Sequence, residues 1–559
     1  MGGNSLFSSS INLKHLAMIV AMLLLGQWVD PASGGGRGGT WELLQRNAGV
    51  VAMHMAVTHR NTVIMFDQTG AGRSGYPLPD PHRTCSSNTV NPSCWAHSSE
   101  YHISTNTIRP LTLKTDTWCS SGSFLSNGTL LQTGGYRNGS RAIRRFHPCS
   151  HEECDWVESD SLLAKGRWYA SNQLLPDNRV IVVGGRRTNT YEFVPKTSHG
   201  EGSYDLPFLH KTENRSGGGD NLYPFLHLSS DGNLFIFANR DSILFDYKKG
   251  TVLKTFPRMP GRGARSYPST GSSVMLPLSH ENDFQKVEIM ICGGATSGAY
   301  RAARRRRYLK GLSSCGRMVI TAAAPAWAME EMPAPRLLND MLMLPTGEIL
   351  IVNGAKRGSA GWNNARTPSL KPYLYKPMKS RGSRFSVLNG TDIPRMYHSS
   401  AVVLPDGRVL VAGSNPHKHY TFRGVEFPTE LRLQVFVPYY MGKSFDDRRP
   451  SLISVLREDG GKAIRYGEEF SVRFWLGRKP NKVVVFHVYA PPFTTHSVSM
   501  NQRMLRLRCK RKESVGGGEA IALLEAPPSP NVAPPGYYFL TIVNGGIPSK
   551  AIWLRFADA

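Results

Sequence analysis

Leu174-Leu175-Pro176-Asp177-Asn178-Arg179-Val180-Ile181-Val182-Val183-Gly184-Gly185 is the stretch that decides the fold. Two apolar runs flank a tight Asp-Asn turn and the second run ends on Gly-Gly, which is the pattern of a β-hairpin. The phrase of which it is part, Asn172 to Gly185, recurs at Met55 to Asp67, Ser123 to Gly135, Phe225 to Asn239, Ser273 to Gly294, Met341 to Gly354 and Ala401 to Gly413. Successive copies are mostly on the order of 50 to 60 residues apart, the range of kelch blades. A single four-stranded blade cannot bury both of its faces, so blades pack radially and close a ring. The seven copies predict a seven-bladed propeller.

The phrase stops near Asp447. Beyond it, Phe470 to Phe474, Val483 to Val488, Ala520 to Leu524 and Tyr537 to Val543 read as short strands between turn residues, an immunoglobulin-like β-sandwich. The expected fold class is therefore all-β, with a kelch-type propeller over 36–446 and a sandwich over 447–559. Residues 1–35 read as a secretory signal peptide: Lys14 is followed by the apolar run Leu16 to Leu25 and then by small residues around Ala32 to Gly34. That run is too short to span a bilayer, and no later segment is long enough. Asn-x-Ser/Thr sites at Asn127, Asn138, Asn214 and Asn389 fit an exported chain, extracellular or in the cell wall if the source is a plant.

The formal charge of +26 suits a polyanionic partner, and its densest run is Arg301, Arg304, Arg305, Arg306 and Arg307. Export argues against nucleic acid, leaving an acidic wall polysaccharide or a solvated loop. Of the eight cysteines, spacing pairs Cys85 with Cys94, Cys149 with Cys154 and Cys292 with Cys315. Cys119 and Cys509 are left over, either as a fourth disulfide or as two free thiols. No Cys/His spacing fits a structural zinc site, and the Gly-x-Ser-x-Gly and HExxH motifs are absent from the sequence.

Three segments stand at the same place in their hairpins, just before or on the first strand: Asp116-Thr117-Trp118-Cys119-Ser120-Ser121-Gly122, Gly166-Arg167-Trp168-Tyr169-Ala170-Ser171 and Pro394-Arg395-Met396-Tyr397-His398-Ser399. Radial repetition makes neighbours of equivalent positions, so a thiol, two phenols and an imidazole should converge at one mouth of the channel. Singly, each has a bland reading as a hydrogen-bonded core residue.

Those three segments, with Leu404-Pro405-Asp406-Gly407-Arg408-Val409 and Thr495-His496-Ser497-Val498-Ser499-Met500-Asn501-Gln502-Arg503, resemble the galactose oxidase and glyoxal oxidase copper-radical enzymes, nearest the plant glyoxal oxidase-like aldehyde oxidases. The resemblance spans nearly all of the mature chain. It implies copper held by Tyr169, Tyr397, His398 and His496, a thioether from Cys119 to the ring of Tyr169 that carries a radical, and Tyr397 as the base. The reaction it implies is oxidation of a small aldehyde to its acid, with O2 reduced to H2O2. Cys119 would then be unavailable for a disulfide, and Cys509 would be a buried thiol or an intermolecular link. Galactose oxidase carries a Trp after the Gly-Gly of this blade, where Arg186-Arg187 stand here, so no residue maps onto that stacking Trp and simple aldehydes are expected over sugar alcohols. The rival readings are a non-catalytic kelch propeller that binds acidic polysaccharide and a copper-radical alcohol oxidase.

Overall fold

A computed structural model describes residues 38–78, 94–150, 153–159, 161–214, 218–456, 463–477 and 483–557. The expected signal peptide lies outside them. Seven antiparallel blades surround one axis, and their innermost strands are His54–Val57, Ser121–Phe124, Ser171–Leu174, Phe225–Leu228, Ser272–Met275, Asp340–Met343 and Ser399–Val403. The seven repeats of the sequence are the two inner strands of these blades. In the fifth copy Leu278–Ser279 and a short turn are inserted before the second strand, Glu288–Cys292, which is why its sequence looks degenerate. The last blade borrows its outer strand from the start of the chain, Thr40–Gln45, paired with Leu433–Val437 in the register Thr40↔Val437. Closing the ring in this way hides edges that would otherwise invite aggregation.

A sandwich follows, and two sheet connections tie it to the propeller. Leu278–Ser279 pairs in parallel with Arg503–Arg506 of the sandwich. The hairpin Phe493–Thr495/Val498–Met500 runs up the propeller axis and extends blade 1, with His54 opposite Thr495 and Ala56 opposite Phe493. Its two turn residues, His496 and Ser497, have φ of 45° and 71°, as a tight two-residue hairpin turn requires. An imidazole is thereby delivered to the axis from the far domain.

Buried arginines brace the blades. Nη1 of Arg144, Arg167, Arg265, Arg336 and Arg395 donates to the carbonyl of Gly134, Gly184, Gly293, Asn353 and Gly413 respectively, each at the end of a blade's second strand. All five are at most 2% exposed, so part of the high positive charge serves the fold. At Gly134 the glycine is also a steric requirement: a Cβ there, at φ 74°, would lie 2.1 Å from the Arg167 carbonyl oxygen.

The disulfides Cys149–Cys154 and Cys292–Cys315 form as expected. Cys94 is disulfide-bonded, while Cys85 lies outside the described residues. Cys119 and Cys509 are free, one on the propeller axis and the other on the sandwich strand Arg508–Gly516, which rules out the fourth disulfide. All four glycosylation-motif asparagines are exposed.

On the inner strand of blade 6, Asp340 is 1% exposed; its Oδ2 accepts from Asn353 Nδ2 at 2.7 Å and its Oδ1 has no partner. Burial raises its pKa to about 7. The folded state therefore holds a proton that the unfolded chain releases near pH 4, and stability falls as pH rises from about 4 to 7, by up to about 1.4 kcal/mol per pH unit. Asp340→Asn should remove that slope and raise the melting temperature at pH 8 but not at pH 4. Thermal unfolding followed across this range checks it; an unchanged slope would mean that the carboxyl is ionised in the fold.

Candidate active site

The segments that lead into blades 2 to 7 each carry one residue of unusual backbone conformation. Cys119, Tyr169, Tyr223, Thr270, Leu338 and His398 precede the inner strands of blades 2 to 7, and all are left-handed, with φ of 54°, 68°, 49°, 46°, 59° and 63°. A bulky residue in this region is uncommon and costs about 1 to 3 kcal/mol. Backbone bonds between blades hold several of these positions: Tyr169 N–H donates to Cys119 O at 2.9 Å, Tyr223 N–H to Tyr169 O at 2.9 Å and Leu338 N–H to Thr270 O at 2.8 Å.

The five side chains expected at the site converge, each no more than 3% exposed. Cys119 Sγ lies 3.2 Å from His496 Nε2. His496 Nδ1 bonds Thr495 Oγ1 at 2.7 Å, which turns Nε2 toward the cluster. His398 leaves both ring nitrogens unpartnered although buried. Its ring meets that of His496 edge-on at 5.0 Å and stacks on Tyr397 at 3.8 Å. One ligand atom each from Cys119, His398 and His496 lie within 4.8 Å of one another.

Sequence reasoning missed Tyr267, whose hydroxyl bonds Tyr169 Oη at 3.2 Å and Tyr397 Oη at 2.9 Å and so links the two phenols into a row of three. A signal for it existed. Arg167-Trp168-Tyr169, Arg265-Ser266-Tyr267 and Arg395-Met396-Tyr397 are one recurring Arg-x-Tyr triplet, in which the arginine anchors the blade and the tyrosine turns to the axis. Tyr223 was also missed; it stacks on His496 at 5.2 Å and donates to Ser120 O. His54, on the inner strand of blade 1, donates from Nδ1 to Phe66 O and accepts from Ser120 Oγ, both at 3.2 Å.

Although Arg186-Arg187 follow Gly184-Gly185, indoles from other segments stand beside the phenols. Trp168 packs its ring 4.8 Å from that of Tyr169, and Trp118 stacks on Trp362 at 5.1 Å. These three indoles and the phenols of Tyr169, Tyr267 and Tyr397 line a cavity of ≈ 540 Å³.

Burial, the largest cause throughout, raises the phenols of Tyr169 and Tyr397 and the thiol of Cys119 well above their usual pKa and lowers His398 and His496 well below theirs. The imidazoles are therefore neutral, with lone pairs available. The phenols keep their protons unless a cation compensates them. Two imidazoles, one of them buried with both ring nitrogens unpartnered, and two phenols form the nitrogen and oxygen set that suits Cu(II).

A closed seven-bladed propeller, plugged along its axis by a hairpin from a β-sandwich and carrying a phenol, thiol and imidazole cluster at the plug's tip, defines the class of galactose oxidase-like proteins. Within that class, a glyoxal oxidase N-terminus profile matches residues 53–440 and a galactose oxidase-like early set domain profile matches 449–556. The chain belongs to the glyoxal oxidase family. It is 44% identical over 521 residues to the aldehyde oxidase GLOX of Vitis pseudoreticulata, covering 92% of this chain and 97% of that one. It is likewise 44% identical to the aldehyde oxidase GLOX1 of Arabidopsis thaliana, covering 92% and 84%. A fungal alcohol oxidase of the AA5 family, solved in complex with copper, shares the fold at a TM-score of 0.72 and 19% identity over 93% of this chain and 100% of that one.

Proposed function

We propose that the protein is an exported copper-radical oxidase that converts an aldehyde, O2 and water into a carboxylic acid and H2O2. The observation that carries this reading is the meeting of a free, buried Cys119 and two buried histidines with Tyr169 and Tyr397, whose phenols line a cavity. Kinship with aldehyde oxidases supports it. Tyr169, Tyr397, His398 and His496 would hold the metal. Bound there, copper(II) would supply one of the two oxidising equivalents that the reaction needs.

The protein's own part is to hold the other equivalent and to move protons. Cys119 joined through sulfur to the Tyr169 ring would spread the unpaired electron, and the phenol oxygen would take the hydrogen atom from the substrate carbon. Tyr397 Oη would accept the hydroxyl proton of the hydrated aldehyde, and Tyr267, bonded to both phenols, would keep their oxygens oriented while that proton moves. Trp118, Trp168 and Trp362 would exclude bulk water from the cavity. Binding of an acidic wall polysaccharide has no support beyond the net charge. Among the described residues no helix is long and apolar enough to cross a membrane.

Peroxide release from methylglyoxal, measured over a copper titration of the mature chain, tests the proposal. Activity should rise in proportion to bound metal, stop at one copper per chain and vanish on chelation. Turnover of primary alcohols but not aldehydes would transfer the reading to an alcohol oxidase. Absence of peroxide from both, with copper bound, would favour a non-catalytic propeller.

A further inference from the structure

The arginine-rich run has a place in the fold that its sequence does not disclose. Ala299–Arg304 forms a short helix inserted after the second strand of blade 5. Arg304 and Arg306, both exposed, rim the same cavity that ends on Tyr169, Tyr267 and Tyr397. Arg186 of blade 3 joins them, its guanidinium 5.3 Å from the ring centre of Trp168, which in turn packs on Tyr169. Three guanidiniums thus stand within a few side chains of the reacting phenol, and no Asp or Glu among the described residues lines the cavity.

We propose that this rim makes the site selective for aldehydes that carry a carboxylate. The inference rests on the oxidase reading and names its substrate class. A single exposed ion pair is weak and screened by salt. Three like charges at the mouth of an aromatic-walled cavity act together, because the low-dielectric walls focus the field and raise the local anion concentration. A carboxylate can take a bidentate bond from a guanidinium, while the indoles cover the carbon chain and the aldehyde reaches the phenols. Oxidation of such a substrate adds water's oxygen to the aldehyde carbon and passes two electrons to O2, so the product is a dicarboxylate that the same arginines would hold.

The test compares 4-oxobutanoate with its methyl ester, a pair that differs in charge at one end, by peroxide release from the copper-loaded enzyme. In dilute buffer kcat/KM should favour the anion by roughly tenfold, and the ratio should approach one at about 0.5 M salt. Arg304→Ala/Arg306→Ala should bring the ratio to within about twofold, Arg304→Lys/Arg306→Lys should keep most of it, and Arg186→Glu should move it toward the ester. In copper-free protein, succinate should quench tryptophan fluorescence saturably, and weakly in the double alanine variant. Equal ratios in wild type and double alanine variant, or a ratio indifferent to salt, would overturn the proposal. If neither aldehyde yields peroxide the oxidase reading fails, whereas succinate quenching that depends on the arginines would still report an anion-selective rim.

Discussion

Cys119→Ser should lower peroxide production by at least about 10³-fold while leaving the protein folded. The sulfur is fully buried and sits 3.2 Å from His496 Nε2. A serine hydroxyl fits the same space and can bond the same nitrogen, so the stability cost should stay within about 1 to 2 kcal/mol. What the variant loses is chemical: without a sulfur substituent the Tyr169 ring has no thioether over which to delocalise an unpaired electron. Peptide mass spectrometry gives a readout independent of turnover. In wild type matured with copper and O2, the Cys119 and Tyr169 peptides should stay joined after thiol reduction, because a thioether offers no disulfide sulfur for a thiolate to attack. They should separate in the variant. Wild-type turnover in Cys119→Ser would remove the thioether from the mechanism.

Arg167→Met should destabilise the fold far more than Cys119→Ser does. Arg167 Nε meets Glu192 Oε1 at 2.8 Å with both side chains fully buried, and Arg167 Nη1 also donates to Gly184 O at 2.9 Å and Thr190 O at 2.8 Å. Removing the guanidinium leaves the Glu192 carboxylate a buried charge with only the Ala164 and Lys165 N–H groups as donors and takes one donor from each of the two carbonyls, a loss of about 3 to 5 kcal/mol. A second change, Glu192→Met, should restore much of that loss, since it removes the uncompensated charge. Urea unfolding of both single variants and the double variant measures the coupling; simple additivity would show that the pair does not act as a unit. Arg167 lies two residues before Tyr169, so activity per folded molecule should also fall in the single variant.

Much of the site was legible because propeller repetition is local. A hairpin such as Ser171–Leu174 with Val180–Val183 closes within a few residues, so its alternation, turn and terminal glycines stand together in the chain. Cys119, Tyr169 and the Tyr397-His398 pair were recognisable as equivalent positions on that repeat. Tyr267 was not, although it carries the same Arg-x-Tyr signature, because its blade is interrupted by the Leu278–Ser279 insertion and its triplet lacks the flanking resemblance. Trp168 reads in the sequence only as a neighbour of Tyr169. That its indole covers the phenol depends on the left-handed turn at Tyr169, which the sequence does not announce.

By itself, the sequence determined the blade number and the sandwich that follows, both written in short-range periodicity, while the five residues expected to carry the chemistry were named by the family resemblance of their short motifs. Only the tertiary structure decided what those residues meet. Cys119 reaches His496 across 377 positions, and Tyr267 joins Tyr169 and Tyr397 across 98 and 130. Such contacts arise from ring closure and from a hairpin threaded up the axis. The same packing buried five arginines as braces and brought Arg186, Arg304 and Arg306 to one cavity. Charge composition cannot distinguish these fates, because an arginine's role depends on which carbonyls, carboxylates or open space surround it after the chain has closed.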